Sequence, residues 1–218
     1  MKTNAQLQKD VIDELRWDFS TRDCEIGVAA KDGVITLSGE VPSYSMKLAA
    51  EVAAERVSGV RALAEDLKVK LPGANQRSDT DIAHAAVHAM EWSIDVPDDK
   101  IKLKVENGWI TLEGRVQSHF QRLAAESAVR NLTGVRGITN RILLAPVAAK
   151  ADEVSRKIRA ALHRSAEFDA SKIQVETLDG CVTLKGQVRS WAEREDAERA
   201  AWSAPGVVSL DDQLRISV

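Results

Sequence analysis

Three stretches of the chain are copies of one another. The segments Asp32-Gly-Val-Ile-Thr-Leu-Ser-Gly39, Asn107-Gly-Trp-Ile-Thr-Leu-Glu-Gly114 and Asp179-Gly-Cys-Val-Thr-Leu-Lys-Gly186 align without a gap, at offsets of 75 and then 72. The same offsets match Val41, Val116 and Val188, then Ser43, Ser118 and Ser190, then Gly59, Gly134 and Gly206. They also match Leu15, Met90 and Leu162 upstream, and Leu67, Ile142 and Leu214 downstream. A register kept over that distance is a tandem repeat, and it fixes the architecture before any local propensity is consulted. The modules span 1–71, 79–145 and 149–218, with linkers at 72–78 and 146–148.

Each module reads as α-β-β-α-β. The first helix carries Leu7, Val11 and Leu15, then Ile82, Ala86 and Met90, then Val154, Ile158 and Leu162, a spacing that keeps one face apolar. A short strand alternates at Ile26/Val28, Ile101/Leu103 and Ile173/Val175. The dipeptides ending at Gly33, Gly108 and Gly180 mark tight hairpin turns, and the second strand then runs to Gly39, Gly114 and Gly186. Ser43, Ser118 and Ser190 are placed to cap a second helix, whose inner stripe is rich in alanine. Gly59, Gly134 and Gly206 end it, and a last strand closes the module. The expected fold class is α+β: three tandem modules, each two helices packed on a three-stranded sheet.

The repeated Val/Ile-Thr-Leu-x-Gly-x-Val strand, the Asp/Asn-Gly turn before it and the Gly-Val pairs at Gly59, Gly134 and Gly206 resemble the BON domain family of bacteria. Asn140 matches the polar position before the family's last strand, where Glu65 and Asp212 stand in the other modules. The resemblance covers nearly the whole chain. It implies non-enzymatic modules linked to osmotic stress, envelope maintenance and phospholipid surfaces. It also offers an alternative, a cytoplasmic sensor of a ligand or of potassium, by analogy with a relative that joins such a domain to another module. Exported members carry a signal peptide or lipid anchor.

The first ten residues have no apolar core of a secretory signal, so the expectation is a cytoplasmic protein, or a periplasmic one if Met1 replaces a removed leader. No apolar run is long enough to span a bilayer. Lys and Arg number 30 against 33 Asp and Glu, and no module is basic, so no nucleic-acid partner is expected. Cys24 and Cys181 are too few to staple a secreted fold and read as incidental thiols.

Catalytic chemistry finds little footing. His84 and His88 stand at i, i+4, but Ala85-Ala86-Val87 lies between them, without the glutamate of a zinc-protease helix. The acidic pairs Asp98-Asp99 and Asp211-Asp212 flank strands. No catalytic residue, cofactor or metal site is assigned.

Apolar residues outside the cores are the candidate binding or inter-module surface. Trp17 and Trp92 are equivalent, and Arg164 replaces them in module three; Ile12 and Val87 become Arg159, and Leu48 and Leu123 become Glu195. The expectation is that modules one and two dock through Ile12, Trp17, Leu48, Val87, Trp92 and Leu123, because copying that contact in module three would desolvate charges. Trp191 and Trp202 then link module three to the rest of the chain or to a partner. The partner expected is an anionic membrane surface or another protein, and homo-oligomer formation is compatible with the same patches.

Overall fold

A computed structural model of the chain describes residues 2–145, 151–164 and 172–216; the expected linker at 146–148 lies outside them. Each module has the expected order. Module one comprises α1 (Asn4–Trp17), β1 (Ile26–Lys31), β2 (Val34–Val41), α2 (Tyr44–Glu55) and β3 (Ala62–Val69). Module two comprises α3 (Asp79–Glu91), β4 (Ile101–Glu106), β5 (Trp109–Val116), α4 (His119–Val129) and β6 (Gly137–Leu144). Module three comprises α5 (Ala151–Arg164), β7 (Ile173–Leu178), β8 (Cys181–Val188), α6 (Trp191–Trp202) and β9 (Ser209–Ile216).

In every sheet the middle strand is antiparallel to the strand before it and parallel to the one after it. A parallel pair needs a crossover connection, and the second helix supplies it. One face of that helix is alanine: Ala50, Ala53 and Ala54 are buried in module one, Ala125 in module two, Ala197 and Ala201 in module three. Small side chains bring the helix axis close to Ile35/Leu37, Ile110/Leu112 and Val182/Leu184, all fully buried. The first helix covers the other half of the same sheet face with the stripe expected from sequence. Each module therefore has its own core.

Local signals place the elements. Thr3 caps α1 in a reciprocal box with Gln6. The hydroxyls of Ser43, Ser118 and Ser190 accept from the backbone N–H of Met46, Gln121 and Glu193 at 3.2, 3.3 and 3.2 Å. The hairpin turn at Asp32-Gly33 has φ of 51° and 83°, the left-handed pair that a two-residue turn matching strand twist requires.

Gly39 has a different reason to be glycine. Its φ is +129°, and a Cβ there would lie 2.7 Å from the Glu25 carbonyl oxygen, where the chain enters β1. Gly114 and Gly186 meet the Lys100 and Lys172 carbonyls in the same way. The glycine that closes the repeated motif is thus the point where the incoming backbone crosses the central strand. Gly39→Ala should lower unfolding stability by roughly 1–3 kcal/mol, read as a lower urea midpoint with unchanged slope.

Candidate functional site

The modules meet through one repeated column. Tyr44, His119 and Trp191 are the first residues of α2, α4 and α6, and they are equivalent in the repeat. Tyr44 of module one packs against the core of module two, with its hydroxyl bonded to the backbone at Ile138. His119 of module two stacks on Trp202 of module three, ring centroids 4.2 Å apart and planes 8° from parallel. Trp191 of module three packs against the core of module one. One kind of contact runs from each module to the next and returns to the start. A heterologous contact that closes after three steps makes a ring with an approximate threefold axis.

The junctions differ in chemistry. Burial, and then the charge of Arg122, push His119 down to about 4, so the imidazole that stacks on Trp202 is neutral at pH 7. The Arg122 guanidinium lies 5.1 Å from the same indole. Between modules three and one, Glu55 faces Glu195; burial, then that second carboxyl and the hydrogen bond between them, hold Glu55 at about 7.

A second column set forms a polar cluster within each module. Lys47 pairs with Glu65 at 3.1 Å, and burial, then the hydrogen bond to Glu65 and its charge, raise Glu51 to about 8. Module three repeats this with Arg194, Asp212 and Glu198; Glu198 is raised to about 7 by burial and by its bond to Asp212. In module two the strand position is Asn140, whose amide donates to Glu126 Oε2 at 3.1 Å and to the Arg122 carbonyl at 3.0 Å. The amide supplies there the hydrogen that a shared proton supplies in the other two modules.

The expected docking of modules one and two through Trp17 and Trp92 is not the contact formed. Trp17 is 85% exposed and Trp92 80% exposed. Both stand at the outer ends of first helices, whereas the second helices reach the neighbouring module. Val87 and Leu123 are exposed as well, and Ile12 and Leu48 are half-buried. Beside the two indoles the structure places Phe19, 78% exposed, and Ile94, 99% exposed, which sequence reasoning missed. They are again one column, and an apolar residue repeated just past a helix end, among polar neighbours, was the available signal. His84 and His88 lie on the exposed side of α3, where His88 meets the edge of Trp92 at 5.5 Å. Cys24 and Cys181 are free and half-buried. Among the described residues no group of three or more His, Cys, Asp or Glu is placed to hold a metal ion. None of the described helices is long and apolar enough to cross a membrane.

The BON domain model matches residues 3–70, 78–146 and 150–217. The chain belongs to the BON domain family. Osmotically-inducible protein Y of Escherichia coli (strain K12) is 33% identical over 125 residues, which cover 53% of this chain and 61% of that protein. The BON modules of this chain thus correspond to less than two thirds of that relative's length. Two solved structures of CdsD, described as a structural protein of the Type III secretion system of Chlamydia trachomatis, align over 96% and 100% of the chain at 11% identity, each with a TM-score of 0.28. A likeness at that level carries no argument.

The raised carboxyls make the BON ring pH-dependent. Glu51, Glu55 and Glu198 ordinarily titrate at 4.5 and are held at about 8, 7 and 7 in the folded chain. The folded state therefore binds more protons than the unfolded one between these values, and stability falls as pH rises from about 4.5 to about 8. The melting temperature should drop between pH 5 and pH 8.5. Glu55→Gln should flatten that slope and gain roughly 1 kcal/mol at pH 8.5, a figure discounted because the pair is partly solvated. A parental slope in this variant would mean that the Glu55–Glu195 contact does not govern it.

Proposed function

We propose that the protein is a non-enzymatic, stress-associated binding protein that docks on phospholipid surfaces through its first two modules. The observation that carries this reading is the pair of exposed apolar tips, Trp17 with Phe19 and Trp92 with Ile94. Side chains of this size left in water at equivalent positions have no role in any module core. In a ring with an approximate threefold axis, equivalent positions lie on one side of the ring plane. The two tips therefore sit at the same height along that axis. Tryptophan suits the headgroup level of a bilayer, because its ring is apolar and its N–H is polar. The stress association rests on the family and on the likeness to Osmotically-inducible protein Y.

The charges around the tips decide the mode of binding. In sequence Arg16 and Arg22 flank the first tip together with Asp18 and Asp23, and Glu91, Asp95, Asp98, Asp99 and Lys100 flank the second. That balance offers little attraction to anionic headgroups, so apolar insertion supplies the affinity. Burying one such indole is worth about 2 kcal/mol, or roughly a thirtyfold change in partitioning.

Flotation with phosphatidylcholine vesicles, and with vesicles that also contain phosphatidylglycerol, tests the reading. The chain should float with both, and high salt should weaken binding only slightly. Trp17→Ser together with Trp92→Ser should abolish flotation while leaving the melting temperature within about 2 °C of the parent, since exposed positions carry little stability. Absence of flotation by the parent would remove the phospholipid surface as the target.

A further inference from the structure

A cleft of about 520 Å³ lies where the last strand of module one meets the sheet of module two. A volume of that size suits a small organic ligand. Lys47, Lys68, Lys104 and Arg136 line it, with Glu106 the one carboxylate among its lining residues. Lys47 is engaged by Glu65 at 3.1 Å and Lys104 by Glu106 at 2.8 Å. Lys68 and Arg136 form no ion pair among the described residues. Two cations beside a concave surface attract anions more strongly than the same cations on an open one.

The cleft also contains Trp109, and that residue is built in. Its indole N–H donates to Thr139 Oγ1 at 2.8 Å, which fixes the ring. The ring lies across Gly137, where any Cβ would strike its six-membered part. Gly137 is not among the glycines of positive φ, so the backbone does not demand glycine there. Ala62 and Ser209 occupy that column in the other modules, as Val34 and Cys181 occupy the column of Trp109. The tryptophan and the glycine that admits it occur together, in module two alone. The ring is 46% exposed and remains available for stacking.

The repeat supplies an internal comparison. Between modules two and three, the columns of Lys68, Lys104, Arg136 and Trp109 hold Leu143, Glu176, Val208 and Cys181. The fold therefore needs neither the cations nor the indole.

We propose that this cleft binds a nucleoside phosphate, with the base stacked on Trp109 and the phosphate held by Lys68 and Arg136. A bare phosphate would leave the exposed face of the ring unused, and a choline headgroup, which can sit on an indole, would bring its own cation against the lysines and arginine that line the cleft. Stacking on tryptophan tolerates any base, so selectivity for nucleoside phosphates as a class is expected rather than for one base.

Calorimetric titration of ADP into the full chain at low salt tests the proposal. One saturable site is expected, with inorganic phosphate and ribose 5-phosphate at least tenfold weaker. Trp109→Val, which installs the residue that module one carries, should weaken ADP binding at least tenfold. Lys68→Gln with Arg136→Gln should do the same and keep the parental melting temperature, while Trp109→Val, which uncovers Gly137 and frees Thr139, should lower it by a few degrees and still unfold in one cooperative transition. The Trp17→Ser, Trp92→Ser variant should bind ADP like the parent, which separates this outcome from that of the vesicle experiment. No saturable binding of ADP, undiminished binding by Trp109→Val, or inorganic phosphate binding as tightly as ADP would each overturn the proposal.

Discussion

The three modules are held as one ring by the first side chain of each second helix. Tyr44, His119 and Trp191 leave their own module at the helix N-terminus and cover apolar surface on the next. The second helix thus has two duties. Its alanine face presses on its own sheet, and its leading aromatic residue reaches outward. A module of about 70 residues buries only a modest core, so covering a neighbour's surface adds stability that none of the three has alone. The order of the contacts also sets what remains free. With the second helices engaged at the junctions, the ends of α1 and α3 are left in solvent, and their apolar residues with them.

The junctions are not uniformly strong. Among the described residues Trp191 Nε1 and His119 Nδ1 are buried without a hydrogen-bond partner, which costs part of what their rings gain. Glu55 and Glu195 face each other across the junction of modules three and one, so that closure improves when a proton sits between them. Tyr44, bonded at Ile138, has no such liability. Above about pH 7 the junction of modules three and one therefore carries a charge repulsion across its carboxyl pair.

Most of the fold was legible in the sequence, because the repeat makes each position its own control. The hairpin turns, the helix caps and the alanine stripes recur in every copy, and local chemistry explains each. The junctions were not legible. Their column holds tyrosine, histidine and tryptophan, three residues that share a ring but little else, so a search for recurring identity passes over them. Trp17 and Trp92 share an identity and drew the eye, yet a side chain at the outer end of a first helix has no neighbouring module to meet. The polar cluster was half legible. The strand position at Glu65, Asn140 and Asp212 stood out, whereas its partners Glu51, Glu126 and Glu198 were hidden as ordinary exposed residues of an amphipathic helix. Only the packing of helix on sheet shows that each glutamate leans on that strand.

Comparison among the copies also separates what the fold requires from what function has added. A column that holds in all three modules, such as Gly39, Gly114 and Gly186, answers to backbone geometry. A column that varies freely while the backbone stays the same answers to something else. The apolar tips occur in two modules and become Arg164 in the third, and the Trp109–Gly137 pair occurs in one. Neither is needed to build a module, since a module lacking it is present in the same chain. Both leave apolar surface in contact with water, which costs solubility. Features with a cost in exposed apolar surface, confined to particular copies of one scaffold, are where binding is to be sought in a repeat protein. Here they fall on different elements, the ends of first helices and the outer face of one sheet, so a surface and a small ligand could be held at the same time.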